Sequence, residues 1–501
     1  MERPALFDFA GLPGQLAERL YEANPWWVGK PGRVLPKYRR WAYGLLRRKL
    51  ERGLAPAVVL RGPRQVGKTT LQEQLIEELL SEGFPSDHIF RVQFDDLPTL
   101  KALREPILSL ARWFQKYVLG RTFNEAAHAG CPAYVFLDEV QNLPDWAAQV
   151  KALVDTHTVR VLVTGSSALR IEAGRDSLAG RITSVDVGPF LLREVAGLTL
   201  GADLGPRLSE NGLDAMMDIE FWRSLAEYGL QNKEMRDRAF DLFSERGGYP
   251  VAYAQEASVP WPQVADQLNE TVINRVIQHD LRLGQRGRRR DQRLLEEVFR
   301  LTCRYAGQAP SQAVYVQELR QALAANIGWT RVLSYLRFLD GSLLIKVVDP
   351  LELRLKRVRG NKKICLSDHS LRASWLQETI PLSPVGLQQA QHLTDLAGHL
   401  AESAAGYFLS GIPHLDLAHF PERGAEPEVD FIITIGERRV PVEIKYRRQI
   451  DPHRDTVGLR AFVEKTVYNA PFGVLVTLHD HVRVQDPRVI PLPLSTLLLM
   501  R

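Results

Sequence analysis

The sequence predicts an α/β protein of several domains, and three observations predict it. The stretch "AVVLRGPRQVGKTTLQEQLIEELL" joins a short apolar strand, residues 57 to 60, through a glycine-rich loop to a helical pattern. Two further segments, "AYVFLDEVQNLPDW" and "VRVLVTGSS", contain the continuous apolar runs of parallel strands buried on both faces. Towards the C-terminus, "EVDFIITIGERRVPVEIKYR" alternates apolar and polar residues around Gly436-Glu437, the pattern of a β-hairpin. A chain of 501 residues with 45% hydrophobic content is too long for one core and has ample material to bury.

Composition bounds the function more loosely. The formal net charge of +5 does not by itself imply nucleic acid, so local clustering has to carry that argument. Cys131, Cys303 and Cys365 lie far apart without metal-ligand spacing, as expected in a reducing, cytoplasmic setting. The N-terminus lacks a basic segment followed by an apolar one, and nowhere do about 18 uncharged apolar residues run together, so neither secretion nor membrane spanning is expected.

Taken in order, residues 1–49 read as an N-terminal helical extension and residues 50–200 as a nucleotide-binding core. Gly62, Pro63, Arg64, Gln65, Val66, Gly67, Lys68 and Thr69, with Thr70 next, fit a phosphate-binding loop in the required strand-loop-helix setting. There, backbone N–H groups and a helix N-terminus cradle phosphates, Lys68 reaches the β- and γ-phosphates of ATP, and Thr69 binds Mg²⁺. Asp138 ends the second strand, positioned for the Mg²⁺ shell, and Glu139 follows it to orient or activate water, which predicts hydrolysis. Ser166 ends a third strand where a hydroxyl would sense the γ-phosphate; a simple strand-ending turn is the other reading. Asp95 and Asp96 end another strand, either near the nucleotide or as solvated caps.

The order of "GPRQVGKTT", "LDEVQNLPDW", "VLVTGSSA", "LAGR" and "GPF" resembles prokaryotic AAA-superfamily ATPases that carry a C-terminal domain of long-unassigned function. "GGYP" at 247 to 250 and "KKICLSDHSLRASWL" at 362 to 376 extend the resemblance, which covers roughly residues 40 to 450. It implies an AAA-type P-loop core, a winged-helix-like element and a domain similar to the restriction-endonuclease superfamily. It also implies a role for Arg181, in "SLAGRI", as a finger completing a neighbouring subunit's site in a homo-oligomeric ring, with an internal salt bridge as the alternative. Glu194 carries over only as a structural match.

Residues 201–290 read as a helical lid, and across its end runs an arginine cluster, Arg282, Arg286, Arg288, Arg289, Arg290 and Arg293, that is either a solvated loop or a phosphate contact. Residues 291–378 give two helices around a turn at Asn326 to Gly328 and then a strand, a winged-helix-like pattern suited to DNA or to a protein contact. Around Gly360-Asn361, the basic residues Lys356, Arg357, Arg359, Lys362 and Lys363, with Arg354, suit a hairpin tip that touches a DNA backbone without reading sequence.

Residues 379–501 hold the hairpin. A turn at Gly436-Glu437 sets Val429, Phe431 and Ile433 against Ile444, Val442 and Val440, and puts Asp430 opposite Glu443 and Glu428 opposite Lys445 on the other face. That face is either solvated or a metal-dependent phosphodiesterase centre in which Asp430 and Glu443 hold Mg²⁺ or Mn²⁺ and Lys445 positions water. By resemblance, Glu402, on a helix some 28 residues earlier, supplies a third carboxylate. The expected protein is an oligomeric ATP hydrolase coupled to a structure-selective DNA nuclease. The alternative is an ATP-dependent switch whose nuclease-like domain binds without cleaving.

Overall fold

The computed structural model describes residues 12, 14–95, 100, 103–143, 145–165, 178–209, 212–253, 259–278, 291–352 and 360–501. Ser166, Asp96, Lys356, Arg357 and Arg359 lie outside the described residues, as do Arg354 and the arginines from 282 to 290. The chain divides into two units, Met1–Val187 and Gly188–Arg501.

In the first unit, Ala57–Arg61 (β1), Ile89–Gln93 (β2), Tyr134–Asp138 (β3), Arg160–Gly165 (β4) and Ile182–Asp186 (β5) form one sheet in the order β2-β3-β4-β1-β5. All of its pairings are parallel. β1 and β3 are buried at every position, which is why they read as unbroken apolar runs instead of alternating ones. The parallel order brings the carboxyl ends of β1, β4 and β3 side by side, the place where open α/β sheets bind ligands. At the β2 edge, Asn24 does the work of a neighbouring strand: its Nδ2 donates to Arg91 O at 2.9 Å and its Oδ1 accepts from Arg91 N at 2.7 Å. Trp27, Phe90 and Phe114 stack beneath that edge, with Phe90 and Phe114 centroids 4.7 Å apart.

The second unit is built on Asp416–Phe420 (β8), Val429–Ile435 (β9), Arg438–Lys445 (β10), Gly473–Thr477 (β11) and Val489–Pro493 (β12), in the order β12-β11-β10-β9-β8. β8, β9 and β10 pair antiparallel, whereas β11 and β12 join in parallel. The expected hairpin register holds: Val440 faces Ile433, Val442 faces Phe431, and Gly436 takes the left-handed φ of +62° that the tight turn demands. The helix Thr394–Ser410 packs on this sheet, and Val457–Glu464 packs on β10 and β11. Asp430 and Glu443 are both buried, so of the two readings of that hairpin face the solvated one does not hold.

The helices between 219 and 278, within the 201–290 expected as a lid on the nucleotide core, belong to the second unit, as does the helix Leu192–Leu200. Lys233–Arg246 is tied there by Arg236, whose Nη1 donates to Asp480 Oδ1 at 2.7 Å and to Thr496 Oγ1 at 2.8 Å. The "GGYP" turn also has a structural purpose. Gly248 N donates to Asp368 Oδ2 at 2.7 Å, and Gly247, at φ +74°, lies so close to the same carboxylate that a side chain would strike it. Gln292–Arg304, Gln312–Leu323 and Trp329–Gly341 precede an antiparallel pair, Ile345–Val348 (β6) and Lys363–Leu366 (β7).

Candidate nucleotide site and a buried carboxylate cluster

The loop after β1 is shaped by backbone. Gly67 adopts φ +87° and Gln65 φ +63°, and a Cβ on Gly62 would collide with the carbonyl of Val187. Turns of this kind let successive N–H groups face one concavity, and the helix Lys68–Ser81 begins there. Lys68 is 5% exposed, and its Nζ donates to the loop carbonyls of Gly62 at 3.0 Å and Pro63 at 2.7 Å. Thr69 Oγ1 donates to Asp138 Oδ2 at 2.9 Å across the gap between β1 and β3. The loop residues, Lys68, Thr69 and Asp138 thus come together as expected. A backbone cradle with a cation, a hydroxyl and a carboxylate at its mouth is the donor set that nucleotide phosphates and Mg²⁺ require.

Glu139 follows in the left-handed region at φ +56°, a strained conformation for a glutamate that turns it sharply out of the strand. Gln141 Nε2 donates to its carboxylate, and its backbone N–H reaches Thr164 Oγ1 at 3.4 Å. Thr164, fully buried on β4, donates to the second oxygen of Asp138. Thr164 and Gln141 escaped the sequence reading, although Thr164 was in view as the threonine of "VLVTGSSA". Arg91 was missed too: its Nη2 lies 3.3 Å from Glu73 and 3.7 Å from Asp138. So was Arg40, which donates to Val66 O at 2.6 Å and braces the loop from outside. Arg33 Nη2 approaches Thr70 Oγ1 at 3.5 Å. Asp95 accepts from Asn142. Arg181 pairs with Asp155 of its own unit, the internal salt bridge of the two readings. Glu194 is fully buried and accepts from Leu191 N at 2.9 Å, a helix-capping role.

The second unit gathers charge of its own. Asp430 Oδ2 accepts from Ile444 N at 2.8 Å and Glu443 Oε2 from Asp430 N at 3.4 Å, so the two carboxylates are locked across β9 and β10. Lys445 Nζ sits 2.5 Å from Glu443 Oε1. The unexpected member is Lys363. It is 1% exposed, and its Nζ lies 2.5 Å from Asp430 Oδ1 and 2.7 Å from Glu402 Oε2, over the ring of Phe431. Burial removes Lys363 from the expected DNA-contacting tip, and Lys362 is paired with Asp349. Glu402 is carried there by close packing, because Gly406, one helical turn later, would place a Cβ 2.5 Å from Cys365 Sγ and from the Phe431 ring. Leu366 N donates to Ser403 Oγ at 2.8 Å and fixes the same helix.

The electrostatics follow from burial. Burial disfavours the Asp430 carboxylate, but Lys363 outweighs it and holds its carboxyl below the usual range. Glu443 and Glu402 are both raised, first by burial and then by the charge on Asp430. Among the described residues no three His, Cys, Asp or Glu side chains form a ready metal cluster. The oxygen donors nonetheless suit a hard cation, and between Asp430 and Glu402 they already hold one, the ammonium of Lys363.

Residues 55–196 match a family described as an AAA domain. The first unit carries an AAA-like P-loop core. Residues 237–380 match a family described as a domain of unknown function (DUF8612). An uncharacterized protein of Mycobacterium tuberculosis is 26% identical over 342 residues, covering 66% of this chain and 58% of that one. An uncharacterized protein of Methanocaldococcus jannaschii is 22% identical over 292 residues, 55% of each. The chain thus spans little more than half the length of these relatives. Two solved structures are distantly similar. Cdc6p from Pyrobaculum aerophilum has 13% identity, a TM-score of 0.27, and coverage of 69% of this chain and 96% of that one. The S. cerevisiae Hsp104–ADP complex has 15% identity, a TM-score of 0.25, and coverage of 61% and 39%. Among the described residues no helix is long and apolar enough to cross a membrane.

Proposed function

We propose that the chain is an ATP-hydrolysing, DNA-processing protein in which an AAA-like core drives a second unit bearing a nuclease-like centre. The observation that carries the ATP half is the linked set Thr69–Asp138–Thr164–Glu139 at the mouth of the phosphate-binding loop. Thr69 and Asp138 would hold Mg²⁺, which supplies charge neutralisation on the phosphates when bound. Lys68 has two loop carbonyls to exchange for phosphate oxygens. Glu139, turned out of its strand and steadied by Gln141, is the group to orient a water and take its proton. Arg181 would act in trans in a ring by leaving Asp155 for a neighbour's nucleotide. Their pairing is exposed, so little opposes that exchange.

The DNA half rests on the pairing of Asp430, Glu443 and Lys445 on adjacent strands, together with the helix pair and two-stranded sheet of residues 312–366, which we read as winged-helix-like. Asp430 and Glu443, with Glu402, would hold Mg²⁺ or Mn²⁺, and Lys445 would face the scissile phosphate. The compensation of these carboxylates by two lysines favours a second reading, a non-cleaving nuclease-like platform switched by nucleotide. Labelled linear, forked and four-way DNA, incubated with protein with and without ATP and Mg²⁺ or Mn²⁺, separates them. Metal-dependent cleavage lost in Asp430→Ala supports the first. DNA-stimulated ATP turnover without cleavage supports the second, and neither effect with any DNA removes the DNA assignment.

A further inference from the structure

We infer that Lys363 is a built-in cation that competes with a divalent metal for the carboxylates of the second unit, so that the centre is latched until this lysine withdraws. The inference rests on the nuclease-like reading of Asp430 and Glu443 and deepens it. Three features carry it. The Lys363 ammonium lies within ion-pair distance of both Asp430 and Glu402, at 2.5 and 2.7 Å, so it occupies the space between the two carboxylates where a bridging ion would sit. Its side chain is 2% exposed, so water cannot take over its role as counter-ion. Its backbone is held while its side chain rests on a ring: it opens β7, where its backbone pairs with Val348, and its Nζ lies 5.0 Å from the Phe431 centroid.

Coulomb's law sets the two occupants against each other. A divalent ion on Asp430 and Glu402 would sit within a few ångströms of a buried ammonium, and in a poorly solvated site that repulsion weakens the hold of both. Lys445 differs. It is about a third exposed and its Nζ lies 2.5 Å from Glu443 Oε1, so it has room to swing towards solvent or a phosphate while the metal is bound. The sequence thus places two lysines with opposite tasks around one carboxylate cluster: Lys363 inside as the resident cation, Lys445 at the rim for the substrate.

The test reads metal binding and needs no activity. Nucleotide-free, full-length wild type, Lys363→Met, Lys363→Arg and Asp430→Asn are titrated with Mn²⁺, with free Mn²⁺ followed by electron paramagnetic resonance. Subtracting Asp430→Asn isolates this site from the phosphate-binding loop. Lys363→Met should bind one Asp430-dependent Mn²⁺ at least about tenfold tighter than wild type, while Lys363→Arg, which keeps the charge, should not. Because Lys363→Met leaves buried carboxylates uncompensated, a second measurement uses wild type alone. Saturating Mn²⁺ should expose Lys363 to an amine-labelling reagent read by mass spectrometry. Equal Asp430-dependent Mn²⁺ affinity in wild type and Lys363→Met, or Asp430-dependent Mn²⁺ bound to wild type with Lys363 still protected, overturns the latch and leaves the nuclease-like reading standing. No Asp430-dependent Mn²⁺ in any protein overturns both.

Discussion

Thr164 shows how a single hydroxyl organises the nucleotide site: it donates to one oxygen of Asp138, leaving the other to Thr69, and accepts from the backbone of Glu139. Thr164→Val keeps the shape and removes both bonds. Turnover should fall roughly tenfold or more with nucleotide affinity little changed, because a positioning bond of about 1–2 kcal/mol is lost from the water-activating arrangement. Equal turnover in Thr164→Val would remove this role. At this scale much was legible. Lys68, Thr69, Asp138 and Glu139 are read directly from the strand-loop-helix motif and the apolar strand that ends in two acids. Thr164 and Arg91 were not, because their importance comes from strand order: β4 and β2 flank β3 only once the sheet is assembled. Lys363 was misread for a related reason. A lysine beside Gly360-Asn361 in a basic run looks exposed, and only the docking of Glu402 and Asp430 against it reveals a buried counter-ion.

Elements carry the second unit's geometry. Thr394–Ser410 approaches β7 and β9 so closely at Gly406 that a methyl group would need Cys365 or Phe431 to move. Gly406→Ala should therefore destabilise by about 1–3 kcal/mol and displace Glu402 from Lys363. A denaturation midpoint equal to wild type would show that the helix has slack there. The hairpin of β9 and β10 was legible to the residue, since the Gly436-Glu437 turn fixes the register and the register fixes which carboxylates meet. Its burial was not, because alternation within one hairpin says nothing about what covers its second face. β8 adds a pH dependence. Burial of His419, whose Nε2 donates to Asn361 O at 2.9 Å, lowers its pKa from the usual 6.5 to about 4. The folded state thus favours the neutral ring. The stability this gives is complete above about pH 6.5 and is lost as pH falls towards 4. His419→Gln, which keeps a donor without titrating, should flatten that part of the melting-temperature profile. An unchanged slope between pH 6.5 and 4 would assign the loss to other groups.

Across the whole molecule, the fold class and the α/β character of both ends followed from periodicity, whereas the allocation of the middle helices did not. Helical patterns from 201 to 278 look alike whether they cap a nucleotide core or buttress another sheet, and long-range pairs such as Arg236–Asp480 decide it. Assembly is the property that depends on Arg181. If it serves a neighbouring subunit, mixing Arg181→Ala with Lys68→Ala should restore turnover above either alone, since each supplies what the other lacks. Mixtures no better than their parts, with both variants folded, would confine Arg181 to its pairing with Asp155. The central claim is that the mouth of the phosphate-binding loop hydrolyses ATP through Glu139. The most direct measurement is nucleotide binding and steady-state ATP turnover on wild type and Glu139→Gln. The account predicts equal ATP affinity with turnover lowered about 100-fold or more in Glu139→Gln. Turnover in Glu139→Gln equal to wild type, or a wild type that binds ATP in Mg²⁺ without hydrolysing it, would contradict the account.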